Sequence, residues 1–314
     1  MKVLSDQKVY DGKTIIVYGS PKVAAYHRKN TDLQNFNFNL ISNADEAASK
    51  RPNIINCVSE EIRVDAGSAT NEAGMATIDA MQAAVNDLKN NKIDILITMP
   101  INKESVHAAG FDFTSNTNFL AKEFGSTQQL EILVNSSIKA CFVSNNSYIS
   151  QISKSITKDA ILEKIVAFND ALRSDFGKDK PKIAVLTLNS VLGEEEKEQI
   201  IPAIEEAKNN GFICVGPYFP EAFFANAEYS KFDGVLAMYR DQIAVPFKAI
   251  SYEDAISYTS GLPKICVAPS MIVDYASVDK NQADGNPLLQ AIFAACDILD
   301  SRESFIEITK NQLK

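Results

Sequence analysis

Short apolar runs alternating with amphipathic stretches dominate this sequence and restrict it to one fold class. The runs Thr14–Tyr18, Ile54–Val58, Ile93–Thr98, Ala140–Ser144, Ile183–Leu188, Phe212–Val215, Gly234–Met238, Ala249–Ser251 and Ile265–Ala268 have strand length and strand composition. Between them, Thr70–Asn90, Asn116–Phe124, Lys158–Asp175, Glu195–Asn209 and Leu288–Leu299 carry helical periodicity. A buried strand followed by a covering helix is the repeating unit of a parallel sheet, so the pattern predicts an α/β protein. Asn209-Asn210-Gly211 stops one helix directly before a strand, and Asp179-Lys180-Pro181 reads as a surface link into another.

Charge and residue counts exclude several function classes. The net charge is −9, and no Lys/Arg stripe is interleaved with aromatics, so nucleic-acid binding is not expected. No apolar run approaches the roughly 20 residues that cross a bilayer. The opening Met1-Lys2-Val3-Leu4-Ser5-Asp6 lacks a signal-peptide core, so a cytoplasmic location without membrane attachment is expected. Five scattered cysteines without a CxxC pair read as small hydrophobes rather than zinc ligands or a redox dithiol. The chain has only two histidines, so a three-histidine metal site cannot be built. His27 lies at a basic helix end, where a solvated or capping role is expected; His107 follows Lys103 by four positions on a helix, where it lines a cleft or faces solvent, and a structural role is the expectation for both. Glu194-Glu195-Glu196 reads as negative charge serving the positive end of the following helix.

Several strands close in polar loops: Thr98-Met99-Pro100-Ile101-Asn102-Lys103, Leu188-Asn189-Ser190-Val191 and Met238-Tyr239-Arg240-Asp241-Gln242. Ligands of parallel α/β folds bind beyond the carboxyl ends of strands, so these loops are expected to gather at one cleft. Tyr18-Gly19-Ser20-Pro21 has a single glycine, and neither a dinucleotide fingerprint nor a Walker phosphate loop is present.

At these loops the chain resembles the 4-hydroxythreonine-4-phosphate dehydrogenase family of vitamin B6 synthesis. The matching stretches include Thr70-Asn71-Glu72-Ala73-Gly74, the Thr98–Lys103 loop and His107-Ala108-Ala109-Gly110-Phe111. Further on they include Ile200-Ile201-Pro202-Ala203-Ile204, Gly216-Pro217, Val235–Tyr239 running into Asp241-Gln242, and Gly261-Leu262-Pro263. The resemblance implies a two-lobed α/β/α fold with mainly parallel sheets, like isocitrate and isopropylmalate dehydrogenases. It also implies a homodimer with its active site between lobes and subunits. It divides the chain into a cofactor-side lobe of residues 1–115 plus 258–314 and a substrate and dimerisation lobe of residues 116–257. Met1-Lys2-Val3-Leu4 falls at the end of the family's first helix, with the first strand and Gly-Asp loop missing before it. The family reaction is NAD- or NADP-dependent oxidation and decarboxylation of 4-phosphooxy-threonine around a divalent ion (Zn, Mg, Mn or Co).

Carried over position by position, the resemblance assigns catalysis to Lys103 and Asp241 and a cofactor contact to Asn189. Substrate contacts fall on Asn116, Thr117, Lys248, Ser257 and Cys266, of which only Thr117 and Lys248 keep the family residue. A later Asp-His-Gly-Thr-Ala segment of the family falls on Ser270-Met271-Ile272-Val273-Asp274. The three metal-ligand histidines fall on Asn146, Val191 and Arg240. An asparagine is a weak neutral ligand, a valine is none, and a fixed cation repels the metal, so a bound divalent ion is not expected. Three functions compete on this pattern. One is a working NAD(P)-dependent dehydrogenase of a small phosphorylated or carboxylated hydroxy acid, with Arg240 substituting for the ion. A second is a non-catalytic homologue that binds a partner or a small anion, as a homodimer or as a heterodimer with an active relative. The third is a truncated gene product.

Overall fold

The computed structural model describes every residue except 30–32, 34, 112–114, 146–147, 272, 274, 276–282 and 311–314. Two compact units divide the chain, Met1–Gly125 with Ala268–Ile292 and Ser126–Val267 with Phe293–Lys314. No helix among the described residues is long and apolar enough to cross a membrane.

The first unit contains β1 (Ile16–Gly19), α1 (Pro21–Lys29), β2 (Asn39–Ile41), β3 (Asn53–Asn56), α2 (Asn71–Lys89), β4 (Ile95–Ile97), α3 (Lys103–Ala108) and α4 (Asn116–Phe124). β3 lies between β1 and β2 with both pairings parallel. Val3, Leu4, Val9, Tyr10 and Phe36 form a buried cluster with Ile292. Met1–Leu4, expected as the end of a helix, instead enters a single 3₁₀ turn, Val3–Ser5, whose apolar side chains are drawn into this cluster. α2 begins where the Thr70 hydroxyl accepts from the Ala73 N–H at 3.1 Å, satisfying one of the orphan donors of its first turn. Gly74 on α2 lets α3 approach closely, because a Cβ there would lie 2.0 Å from the Ser105 carbonyl oxygen. Gly74→Ala must displace the backbone of α3, so we expect its unfolding free energy to fall by about 1–3 kcal/mol. Thermal and denaturant melts followed by circular dichroism check this; an unchanged midpoint would contradict the close approach.

The second unit contains β5 (Leu130–Val134), β6 (Lys139–Ser144), α5 (Ile149–Ser155), α6 (Lys158–Ser174), β7 (Lys182–Leu186), α7 (Ile201–Asn209), β8 (Ile213–Tyr218), α8 (Pro220–Ala225), β9 (Gly234–Tyr239), α9 (Arg240–Ile250), β10 (Ile256–Ser260) and β11 (Ile265–Pro269). Its strands follow the order β11-β10-β5-β6-β9-β7-β8. β6, β9, β7 and β8 pair in parallel, whereas β5 is antiparallel to both β6 and β10. The carboxyl ends of β6, β7, β8 and β9 therefore share one edge, and the start of β5 returns to that same edge. Leu133, Phe142, Leu186, Phe223 and Phe247 are central to its core. α10 (Asn286–Lys310) runs from the first unit into the second.

The structure corrects several sequence expectations. Ala249–Ser251 is not a strand; residues 249–250 end α9, which carries Pro246 in its interior. Proline costs a helix roughly 3 kcal/mol, but buried Ile243, Ala244 and Phe247 pack into the core and outweigh that penalty. α10 continues well beyond Leu299, anchored by Arg302. β2, β5 and β10 were not expected from the pattern.

Candidate functional site

In the first unit, side-chain caps place the polar residues of the Thr98 and Ser115 loops. Asn102 Oδ1 accepts from the Ser105 N–H at 2.8 Å and starts α3, which puts Lys103 at its exposed first position. Ser115 Oγ accepts from the Asn118 N–H at 3.2 Å and starts α4. Asn116 then donates through Nδ2 to Thr98 Oγ1 at 2.9 Å, beside the buried Thr117. Asn116 Oδ1 is buried and has no hydrogen-bond partner among the described residues. An orphaned buried acceptor costs about 1–3 kcal/mol. His107 is exposed on α3.

In the second unit, Gln242 joins the carboxyl ends of two neighbouring strands. Its Oε1 accepts from the Met238 N–H at 2.8 Å, and its Nε2 donates to the Thr187 carbonyl at 2.7 Å. Thr187 Oγ1 in turn donates to the Asn189 carbonyl at 2.7 Å. These bonds fix the start of α9, and with it Arg240 and the exposed Asp241, next to the Asn189 loop. The Arg240 guanidinium lies 3.6 Å from Glu131 of β5, with side-chain exposures of 45% and 10%. Ser257 of β10 donates to the same Glu131 Oε1 at 3.1 Å. Lys248, farther along α9, is half-buried with its ammonium 5.9 Å from the Tyr252 ring centre. Burial holds the Lys248 pKa below the usual lysine value, the Arg240 charge lowers it further, and Glu131 opposes both. Arg240, Glu131 and Ser257 therefore form one charged cluster. Glu131 escaped the sequence analysis, because nothing in Leu130-Glu131-Ile132 distinguishes it from an ordinary strand residue. Cys266 is buried in β11, and burial pushes its thiol up to about 12. It is a neutral hydrophobe there, with no charge to offer a ligand.

The Glu194–Glu196 triplet does not simply serve the helix that follows. Glu196 is fully buried and reaches back over the preceding loop. It accepts from the backbone N–H groups of Leu188 (3.0 Å), Asn189 (2.8 Å) and Gly193 (2.8 Å), and from Asn189 Nδ2 (3.2 Å). Burial raises its pKa, but these donors outweigh burial and leave the carboxyl below the usual glutamate value. Glu195 accepts from Ser153 of α5 at 2.6 Å and from Asn189 Nδ2 at 3.1 Å. The amide donor of Asn189, the expected cofactor contact, is thus engaged inside its own loop.

The positions to which the family resemblance assigns a divalent ion do not fit one. Val191 carries no donor atom and points an apolar chain outward at 68% exposure. Arg240 brings a permanent cation that is already ion-paired with Glu131. Asn146 and Asp274 lie outside the described residues.

The family model described as pyridoxal phosphate biosynthetic protein PdxA matches residues 11–295. The chain belongs to the PdxA family. The description of that model places the family in pyridoxal phosphate biosynthesis, and the curated relatives carry dehydrogenase names. The PdxA-family chain is 38% identical over 310 residues to 4-hydroxythreonine-4-phosphate dehydrogenase of Bacteroides thetaiotaomicron, covering 96% of this chain and 85% of that protein. It is 31% identical over 293 residues to the enzyme of the same name from Aquifex aeolicus, covering 91% and 90%. The solved 4-hydroxythreonine-4-phosphate dehydrogenase of Burkholderia phymatum superposes with a TM-score of 0.74 at 25% identity, covering 95% and 92%. That of Klebsiella pneumoniae gives 0.77 at 22%, covering 90% and 89%, and supports the fold.

Proposed function

We propose that this PdxA-family chain binds the anionic group of a small phosphorylated or carboxylated hydroxy acid through Arg240 and Lys248. We propose further that it does so without a divalent ion and does not perform the metal-dependent oxidation that the resemblance implies for its relatives. One observation carries this reading: a guanidinium, paired with Glu131, stands where the resemblance puts a metal-ligand histidine. Oxidising a secondary alcohol by hydride loss requires stabilisation of negative charge on its oxygen, which a Lewis-acidic ion supplies in metal-dependent enzymes. At 4 Å two unit charges interact by about 4 kcal/mol at an effective dielectric of 20, and a divalent ion facing Arg240 would meet about twice that as repulsion. The guanidinium instead presents a planar fork of N–H donors matched to carboxylate and phosphate oxygens.

The test uses purified protein with 4-phosphooxy-threonine, in EDTA or with Mg²⁺, Mn²⁺ or Zn²⁺. Calorimetry should give the same affinity in EDTA as in metal, and no reduced nicotinamide should form with NAD or NADP. Metal-dependent reduction of the cofactor would overturn the proposal. Reduction insensitive to EDTA would favour a different reading, in which Arg240 itself supplies the charge that the ion supplies elsewhere.

A further inference from the structure

The Arg240–Glu131 contact is an ion pair without a hydrogen bond. At 3.6 Å it is longer than an N–H···O hydrogen bond, and Arg240 makes no hydrogen bond to another described residue. Glu131 is spent differently: its Oε1 is held by the Ser257 hydroxyl at 3.1 Å, and its side chain is only 10% exposed. A largely buried carboxylate is costly unless positive charge compensates it, and here Arg240 at 3.6 Å supplies that charge. The more exposed Arg240 keeps its donor fork available to an incoming anion.

We propose that Glu131 is a resident counter-ion that competes with ligand for Arg240, so that neutralising it strengthens anion binding, most of all for a dianion. This deepens the proposed function and rests on its assignment of Arg240 and Lys248 to anion binding. Ser257 positions Glu131 rather than touching the ligand: by holding Oε1 it keeps the carboxylate beside the guanidinium without letting it swing into a bidentate pair. Repulsion from Glu131 scales with the charge of the ligand, so a phosphate dianion loses about twice as much to it as a carboxylate does.

The test measures binding of lactate and of inorganic phosphate, at mildly alkaline pH where phosphate is dianionic, to wild type and variants. Glu131→Gln keeps the shape and can still accept from Ser257. It should tighten phosphate binding by about tenfold or more, with a smaller gain for lactate. Glu131→Asp, which keeps the charge, should stay close to wild type. The gain should vanish in the double variant Glu131→Gln/Arg240→Ala. Phosphate binding by Glu131→Gln that is unchanged, weaker or undetectable overturns the counter-ion role. An equal gain in Glu131→Asp, which keeps the negative charge, overturns it too. These outcomes are separate from failure of the proposed function, which falls if wild type binds no 4-phosphooxy-threonine in EDTA. Glu131→Gln gaining phosphate binding where wild type has none would then still support the counter-ion role.

Discussion

Asp175→Ala should lower the unfolding free energy of the second unit by about 3–5 kcal/mol, the cost of removing one partner from a buried ion pair. Asp175 ends α6, is almost fully buried, and accepts from Arg302 Nε at 2.8 Å and from the Tyr258 hydroxyl at 2.7 Å. Arg302 also donates to the Leu262 carbonyl at 3.0 Å and to the Tyr258 oxygen. One carboxylate thus ties the α6 end to β10 and to the last turns of α10. Burial alone would lower the Arg302 pKa, but the Asp175 carboxylate more than reverses this and holds it above the usual arginine value. Without Asp175 the guanidinium is left uncompensated. Denaturant unfolding followed by circular dichroism reads the loss, and hydrogen exchange should show α10 opening first beyond residue 300. An Asp175→Ala protein as stable as wild type would show that the cluster adds nothing beyond its hydrophobic surroundings.

Glu196→Ala should cost a comparable amount, about 3–5 kcal/mol, because three backbone N–H groups of the 188–193 loop lose a charged acceptor at once. Glu196→Gln should cost less but still be destabilising, since its amide end brings a donor where donors already converge. The folded-state pKa of Glu196 is depressed, so its contribution is fully present above the unfolded value of about 4.3. It is lost as pH falls through the lower folded value. Wild type should therefore lose stability more steeply than Glu196→Gln below about pH 4.3. Limited proteolysis at neutral pH should cut Glu196→Ala within residues 188–193 faster than wild type. Parallel acid limbs for the two proteins, together with equal cleavage rates, would rule out the clamp.

Local chemistry made much of the fold legible. α4 spans the residues expected from its pattern, because Ser115 caps it and Gly125 at φ +63° ends it. β6, β7, β9 and β11 are apolar runs that sit in the sheet within a residue or two of their expected bounds. The strands that escaped notice are β2, only three residues long, and β5 and β10, which form the antiparallel part of the second-unit sheet. β10 mixes polar with apolar positions, and β5 is a short apolar run broken by Glu131; the two pair with each other in the sheet. The α9 end was misjudged because Pro246 is a local stop signal that burial of Phe247 overrides.

By itself, the sequence determined the α/β class, five of the ten helices among the described residues (α2, α4, α6, α7 and α10), the family, and the replacement of imidazoles by an aliphatic chain at Val191 and a guanidinium at Arg240. These follow from periodicity and residue identity, which are local. Tertiary structure alone decided what the charged groups do. Register between β5 and β10 brings Glu131 to Ser257, and chain reversal brings it to Arg240. The turn into the α7 helix folds Glu196 back onto the Leu188–Gly193 backbone. The length of α10 delivers Arg302 to Asp175. Electrostatic partnership depends on distance and burial, and residues far apart in a chain acquire both only when the sheet is assembled.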